Sequence, residues 1–79
     1  MNYTLLYFAS LRDTAGCAQE SVASDAPDPR GLYTDAAARH GFRMPLERVR
    51  VAVNGAFAAQ DCTLRDGDEV AFLPPVSGG

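Results

Sequence analysis

No lysine occurs in the chain; all seven basic residues are arginines. Such a chain cannot accept an isopeptide bond on its own side chains, which excludes a modifier that conjugates to itself. Any basic run is also missing and the net charge is −3, so little is present to hold a phosphate backbone. No nucleic-acid partner is expected. No apolar stretch approaches the ~18 residues of a membrane span. The start, Met1-Asn2-Tyr3-Thr4, lacks the basic segment of a signal peptide. No membrane association is expected, and the chain is read as cytoplasmic. Histidine occurs once, at His40, and cysteine twice, at Cys17 and Cys62. These are too few for a closed zinc site, and two cysteines in a cytoplasmic chain are expected to stay reduced and without redox chemistry. No metal and no bound cofactor are expected. Neither a nucleophile–base pair nor a phosphate-binding glycine loop can be read.

What is present is one domain of 79 residues, 47% apolar and 22% charged, the balance of an ordinary globular fold. A domain this small buries only about 60–65% of the surface its unfolded chain exposes, which leaves little room for an internal substrate cavity. Composition therefore points to a carrier or binding module rather than a self-contained enzyme.

The run Tyr3-Thr4-Leu5-Leu6-Tyr7-Phe8 predicts a buried first strand. Residues 10–16 are polar and end in glycine, which predicts a loop or a single helical turn. Residues 19–23 predict a second strand, paired with the first as a hairpin. Asp28-Pro29 starts a helix: the aspartate caps it, and proline at the first position loses no needed N–H. Leu32, Ala36 and the stem of Arg39 or His40 then share one face, and Gly41 ends the helix. Val49, Val51 and Val53 alternate with Arg48, Arg50 and Ala52 as a half-buried strand. Asn54-Gly55 is a strong hairpin signal, with Phe57 and Ala58 beginning the return strand. Asp66-Gly67 marks another turn, residues 69–73 form the last strand, and Pro74-Pro75 stop it. The expected order is strand, strand, helix, strand, strand, strand. One helix covers one face of the sheet, so the other face is solvated or bound.

Two features are candidates for function. The first is the end of the chain, Pro74-Pro75-Val76-Ser77-Gly78-Gly79. Two prolines favour an extended path, six extended residues reach ~20 Å, and two terminal glycines would thread a channel too narrow for side chains. A glycine carboxylate is open to attack but needs activation by a partner. The ordinary reading of Gly-Gly alone is a frayed end. The second feature is the uncovered face. If Val70 and Phe72 point to the core, Glu69, Ala71 and Leu73 point away; if Leu5 and Tyr7 are core, Thr4, Leu6 and Phe8 point outward. Were these strands parallel neighbours, Phe8 and Leu73 would meet where the tail leaves, with Phe57 near them. That is an apolar patch suited to a protein interface. The competing reading for each of these residues is plain core. Asp66, Asp68 and Glu69 are read as turn chemistry around Gly67 rather than a cation site. His40 is read as a helix-end residue rather than a ligand or base.

Residues 64–79, LRDGDEVAFLPPVSGG, resemble the terminal signature L-x-D-G-D-E-V-A-F-x-P-P-V-S/T-G-G of the MoaD family, the ubiquitin-like β-grasp small subunits of molybdopterin synthase. Phe8-Ala9-x-x-Arg12 and Ala52-Val53-Asn54-Gly55 are weaker matches to the same family, and residues 24–48 match in pattern only. The resemblance implies an α+β β-grasp domain over residues 1–75: a mixed sheet of four to five strands, one main helix on one face, and a flexible tail at 76–79. It implies that a ubiquitin-activating-type enzyme uses ATP to adenylate Gly79. A persulfide sulfur then leaves a thiocarboxylate, a covalent 1-thioglycine. The large synthase subunit takes in the tail and passes the sulfur to cyclic pyranopterin monophosphate, in a heterotetramer of two small and two large subunits. Catalysis would belong to the large subunit, with this chain a non-catalytic co-substrate. By position the interface falls on Phe8, Arg12, Phe57, Leu73, Pro74 and Pro75, with Val76, Ser77 and Gly78 as the threading tail. Phe57 stands where an aliphatic residue is expected, and Leu73 where an aromatic is. The alternatives are a sulfur carrier for thiamine or cysteine synthesis, a modifier conjugated to target lysines, and a structural subunit with an inert tail.

Overall fold

In the computed structural model, which describes residues 1–75, the sheet is built outward from its last strand. Strand β5 (Glu69–Leu73) lies at the centre, parallel to β1 (Asn2–Tyr7) on one side and antiparallel to β3 (Arg50–Val53) on the other. Outside these lie β2 (Gln19–Ala23), antiparallel to β1, and β4 (Ala56–Ala58), antiparallel to β3. The order across the sheet is β2-β1-β5-β3-β4. This is the mixed five-stranded sheet of an α+β β-grasp fold. The parallel pairing of β1 with β5 joins the two ends of the sequence, with Leu5 opposite Val70 and Tyr7 opposite Phe72.

One face carries the core. Helix α2 (Pro29–His40) lies on it and buries Pro29, Leu32, Tyr33 and Ala36 against Leu5, Tyr7, Val51, Val70 and Phe72. Tyr33 was not on the expected helix face, yet it is only 3% exposed. Its hydroxyl donates to the Met44 carbonyl at 2.7 Å, which satisfies the polar end of a buried ring. The Tyr33 ring meets Phe72 edge-on at 5.3 Å between centroids. Asp28 caps α2 by accepting from the Gly31 N–H at 3.0 Å, and Gly41 closes the helix in the left-handed conformation, as the sequence predicts.

Two expectations need correction. Residues 10–16 do not form a loop or single turn; Ala9–Ala15 is a two-turn helix, α1, closed by Gly16 at φ 78. Only Leu11 of α1 is buried, so a helix of seven residues shows no apolar stripe in the sequence. Val49 is buried, but it ends a 3-10 turn (Leu46–Arg48), and β3 begins one residue later at Arg50. Of Arg39 and His40, His40 packs its ring against Tyr7 and Phe42, while the Arg39 guanidinium reaches across to Glu20 of β2. The Asn54-Gly55 hairpin stands as predicted, with positive φ at both residues (52 and 86) as a two-residue turn of this hand requires.

Candidate functional site

Among the described residues no helix covers the second face of the sheet. Strand alternation sends Leu6 of β1, Ala71 and Leu73 of β5, Ala52 of β3 and Phe57 of β4 to this side. Together with Phe8, Gly55 and Glu69 they line a groove of about 250 Å³. Four phenylalanines and three tyrosines occur in the chain, and Phe8 (42% exposed) and Phe57 (68%) are the aromatics left out of the core. Both line this groove, so neither is core.

The backbone explains how they arrive there. Phe8 ends β1, and Ala9 then takes a positive φ of 50, which swings the chain off the sheet into α1. The parallel register of β1 with β5 places Phe8 level with the end of β5. Phe57 lies opposite Ala52 in the β3–β4 hairpin. Asn54 fixes that hairpin to β5: its N–H donates to the Glu69 carbonyl at 2.8 Å. Its side-chain oxygen accepts from the Glu69 N–H and its amide donates to Asp68, each at 3.0 Å. Leu73 is the last residue of the central strand, and the half-buried Pro74 and Pro75 follow it. The expected convergence of Phe8, Phe57 and Leu73 beside the departing tail is therefore what the sheet produces. Arg12 is exposed on α1 and does not line the groove. The expected tail residues Val76, Ser77, Gly78 and Gly79 lie outside the described residues.

Sequence reasoning missed Ala52, Gly55 and Arg50 as parts of this face. The alternation of Arg50 and Ala52 with Val51 and Val53 carried the signal. Arg50 pairs with Leu73 across β3 and β5, and its guanidinium carbon stands 4.9 Å from the centre of the Phe57 ring.

The acidic residues near the final turn are structural, as expected. Asp66 accepts from the Asn2 N–H at 2.5 Å, and Asp68 from the Arg65 N–H at 2.8 Å as well as from Asn54. Those two bonds to Asp68, the backbone one first, hold its carboxyl below the usual range.

His40 is more than a helix end. One oxygen of Glu20 accepts from Tyr7 at 2.6 Å, from Arg39 at 2.8 Å and from His40 Nε2 at 2.9 Å. Burial raises the Glu20 pKa, but hydrogen bonds from Tyr7, His40 and Arg39 outweigh it and bring it down to about 2. Burial pushes the Tyr7 hydroxyl up, and the bond to Glu20 adds to it. The cluster faces the core side, at the end of α2. A larger groove of about 390 Å³ runs between β2 and α2, over Leu5, Val22 and Leu32, with Asp35 and Arg39 at its wall. It is a gap at the sheet edge, where β2 is the outermost strand.

The comparisons with known proteins agree with this geometry. The pattern of the ThiS family matches residues 5–79. The molybdopterin synthase sulfur carrier subunit of Escherichia coli (strain K12) is 40% identical over 78 residues, covering 95% of this chain and 96% of that protein. Among solved structures, the small archaeal modifier protein SAMP1 of Haloferax volcanii superposes with a TM-score of 0.79 at 30% identity, covering all of both chains. The complex of subunits 1 and 2 of molybdopterin-converting factor from Helicobacter pylori superposes with a TM-score of 0.69 at 24% identity, again over the full length of both chains, and shows the shared fold. With the family pattern spanning nearly the whole sequence and a relative this similar along its whole length, the chain belongs to the ThiS family.

Proposed function

We propose that this chain is the sulfur carrier subunit of a molybdopterin synthase, with Gly79 as its reactive end. The observation that carries this reading is the apolar groove of Phe8, Phe57 and Leu73 at the point where the central strand releases Pro74-Pro75 and the tail. A groove of this kind suits a partner that must hold the domain while the tail enters its active site. The matches to proteins named as such carriers support it.

The chemistry asked of Gly79 is acyl activation. Its carboxylate oxygen attacks the α-phosphorus of ATP on a ubiquitin-activating-type enzyme, and pyrophosphate leaves. The outer sulfur of a persulfide then attacks the acyl carbon and AMP leaves. A thiol cleaves the remaining S–S bond, taking up the inner sulfur as a disulfide and leaving a thiocarboxylate on Gly79. The large synthase subunit receives the tail and transfers the sulfur to cyclic pyranopterin monophosphate. A dithiolene contains two sulfurs, so each product consumes two loaded carriers, which fits a heterotetramer of two small and two large subunits. The reaction needs ATP and reduced thiols, both of which the cytoplasm holds. This chain supplies the docking face through Phe8, Arg12, Phe57 and Leu73, the stiff Pro74-Pro75 spacer, and Val76, Ser77 and Gly78 as the narrow lead. The catalytic groups belong to the partner.

Incubation with the adenylating enzyme, ATP and a persulfide source should raise the intact mass by ~16 Da, the exchange of one oxygen for sulfur. Deleting Gly79 should abolish the gain without shifting Tm. No gain in the full chain would refute sulfur carriage. Likeness to the small archaeal modifier favours a second reading, conjugation of Gly79 to lysines of other proteins. An ATP-dependent adduct on a target lysine, without thiocarboxylate formation, would select it.

A further inference from the structure

Arg50 stands on the docking face itself. It lies opposite Leu73, beside the tail exit, with its guanidinium over the Phe57 ring. Among the described residues its charge has no ion-pair partner; the ion pairs present involve Arg30, Arg39 and His40. A guanidinium resting on a ring face keeps its hydrogen-bonding edge open, and that edge matches a carboxylate through two parallel bonds. Any partner that covers Phe57 also covers the cation stacked on it. Burying that charge unpaired is costly, whereas burying it against an anion in good geometry is not. The far end of the groove carries the opposite sign, Glu69, which precedes Leu73 by four residues on β5. The two ends are thus about 13 Å apart along the strand. A partner docked end for end would bring its anion against Glu69.

We propose that Arg50, stacked on Phe57, is a specificity determinant of the docking face, and that the partner places a carboxylate against it beside an apolar pocket for the ring. This rests on the carrier reading above. The partner chemistry follows from charge complementarity: an acidic group at the tail-exit end of the interface fixes the direction in which the tail enters.

The test is binding of the full chain to the purified large subunit of the molybdopterin synthase from the same organism, across a range of ionic strength, with Tm recorded for every variant. Arg50→Glu should weaken binding about tenfold or more, chiefly through faster dissociation, at unchanged Tm. Arg50→Gln keeps part of the stem, removes the charge, and should flatten the salt dependence of Kd. Arg50→Lys keeps the charge without the planar fork and should fall between wild type and Arg50→Gln. If Arg50→Glu and Arg50→Gln bind as wild type does, with the same salt slope, the Arg50 proposal is overturned while the carrier reading stands. If the wild-type chain forms no complex at all, both fall. A drop in Tm with undiminished binding would make the arginine a folding contact and overturn the proposal.

Discussion

At Glu20, three donors converge on one carboxylate oxygen, and that concentration makes a pH response. The folded pKa of about 2 lies below the unfolded value of 4.5. A depressed carboxylate pKa stabilises the fold above the unfolded pKa, and that contribution is lost as pH falls through the folded one. The window is therefore about pH 4.5 down to 2. The side chain is 22% exposed, so solvent screens part of the effect. Glu20→Gln keeps an acceptor for Tyr7 and removes the charge facing Arg39 and His40. It should cost about 1–2 kcal/mol near neutral pH, below the ~1.5–3 kcal/mol of hydrogen bonds to a fully buried charged group because solvent screens this one. The difference from wild type should shrink as pH falls through that window, as thermal melts at stepped pH would read. A constant difference down to pH 2 would show that packing, not charge, is lost. None of this was legible in the sequence. Tyr7, Glu20, Arg39 and His40 lie on three elements, and local pattern says nothing about which of them meet.

At the scale of elements, the legible parts were those whose signal is local. The Asp28-Pro29 start and Gly41 stop of α2, the Asn54-Gly55 hairpin and the Asp66-Gly67 turn each follow from backbone chemistry at one or two residues. The parallel neighbours β1 and β5 were legible only as a supposition, because their pairing joins positions more than sixty apart. Helix α1 was missed because one buried leucine makes no periodicity. Another contact invisible to pattern governs the first turn of α2. A β-carbon on Gly31 would sit 2.8 Å from that of Ala26. Ala26 has little freedom to move: its carbonyl accepts from Tyr3 at 3.0 Å and its N–H donates to Ser24 at 3.1 Å. Helix propensity favours alanine over glycine by up to ~1 kcal/mol, whereas overpacking costs ~1–3 kcal/mol. Gly31→Ala should therefore lose about 1 kcal/mol net and lower Tm by roughly 4–8 °C. A higher Tm in the variant would mean that the loop yields and propensity wins.

For the whole molecule, the decisive fact is that one sheet has two unlike faces. The core face spends Tyr3, Leu5, Tyr7, Val70 and Phe72 on stability under α2. The other face leaves Phe8, Phe57 and Leu73 around a groove, and single apolar residues at a surface would mean little without that convergence. The division predicts that the outer face can be damaged without unfolding the domain. Leu73 is the sharpest place to try, because it ends the central strand and points away from the core packed by its neighbour Phe72. Leu73→Asp removes no core contact, so Tm should move by no more than a few degrees. Docked against an apolar partner surface, however, the new carboxylate would be buried without a cation of its own, and Arg50 across the ladder would only partly offset it. Loss at an interface centre of this kind runs to ~2 kcal/mol or more, about thirtyfold in Kd. The measurement is titration calorimetry of the variant against the synthase large subunit, beside a melt of the variant alone. Weakened binding with an intact melt separates the docking face from the core. Unchanged affinity would move the interface off this face, and a collapsed melt would make Leu73 part of what holds the sheet together.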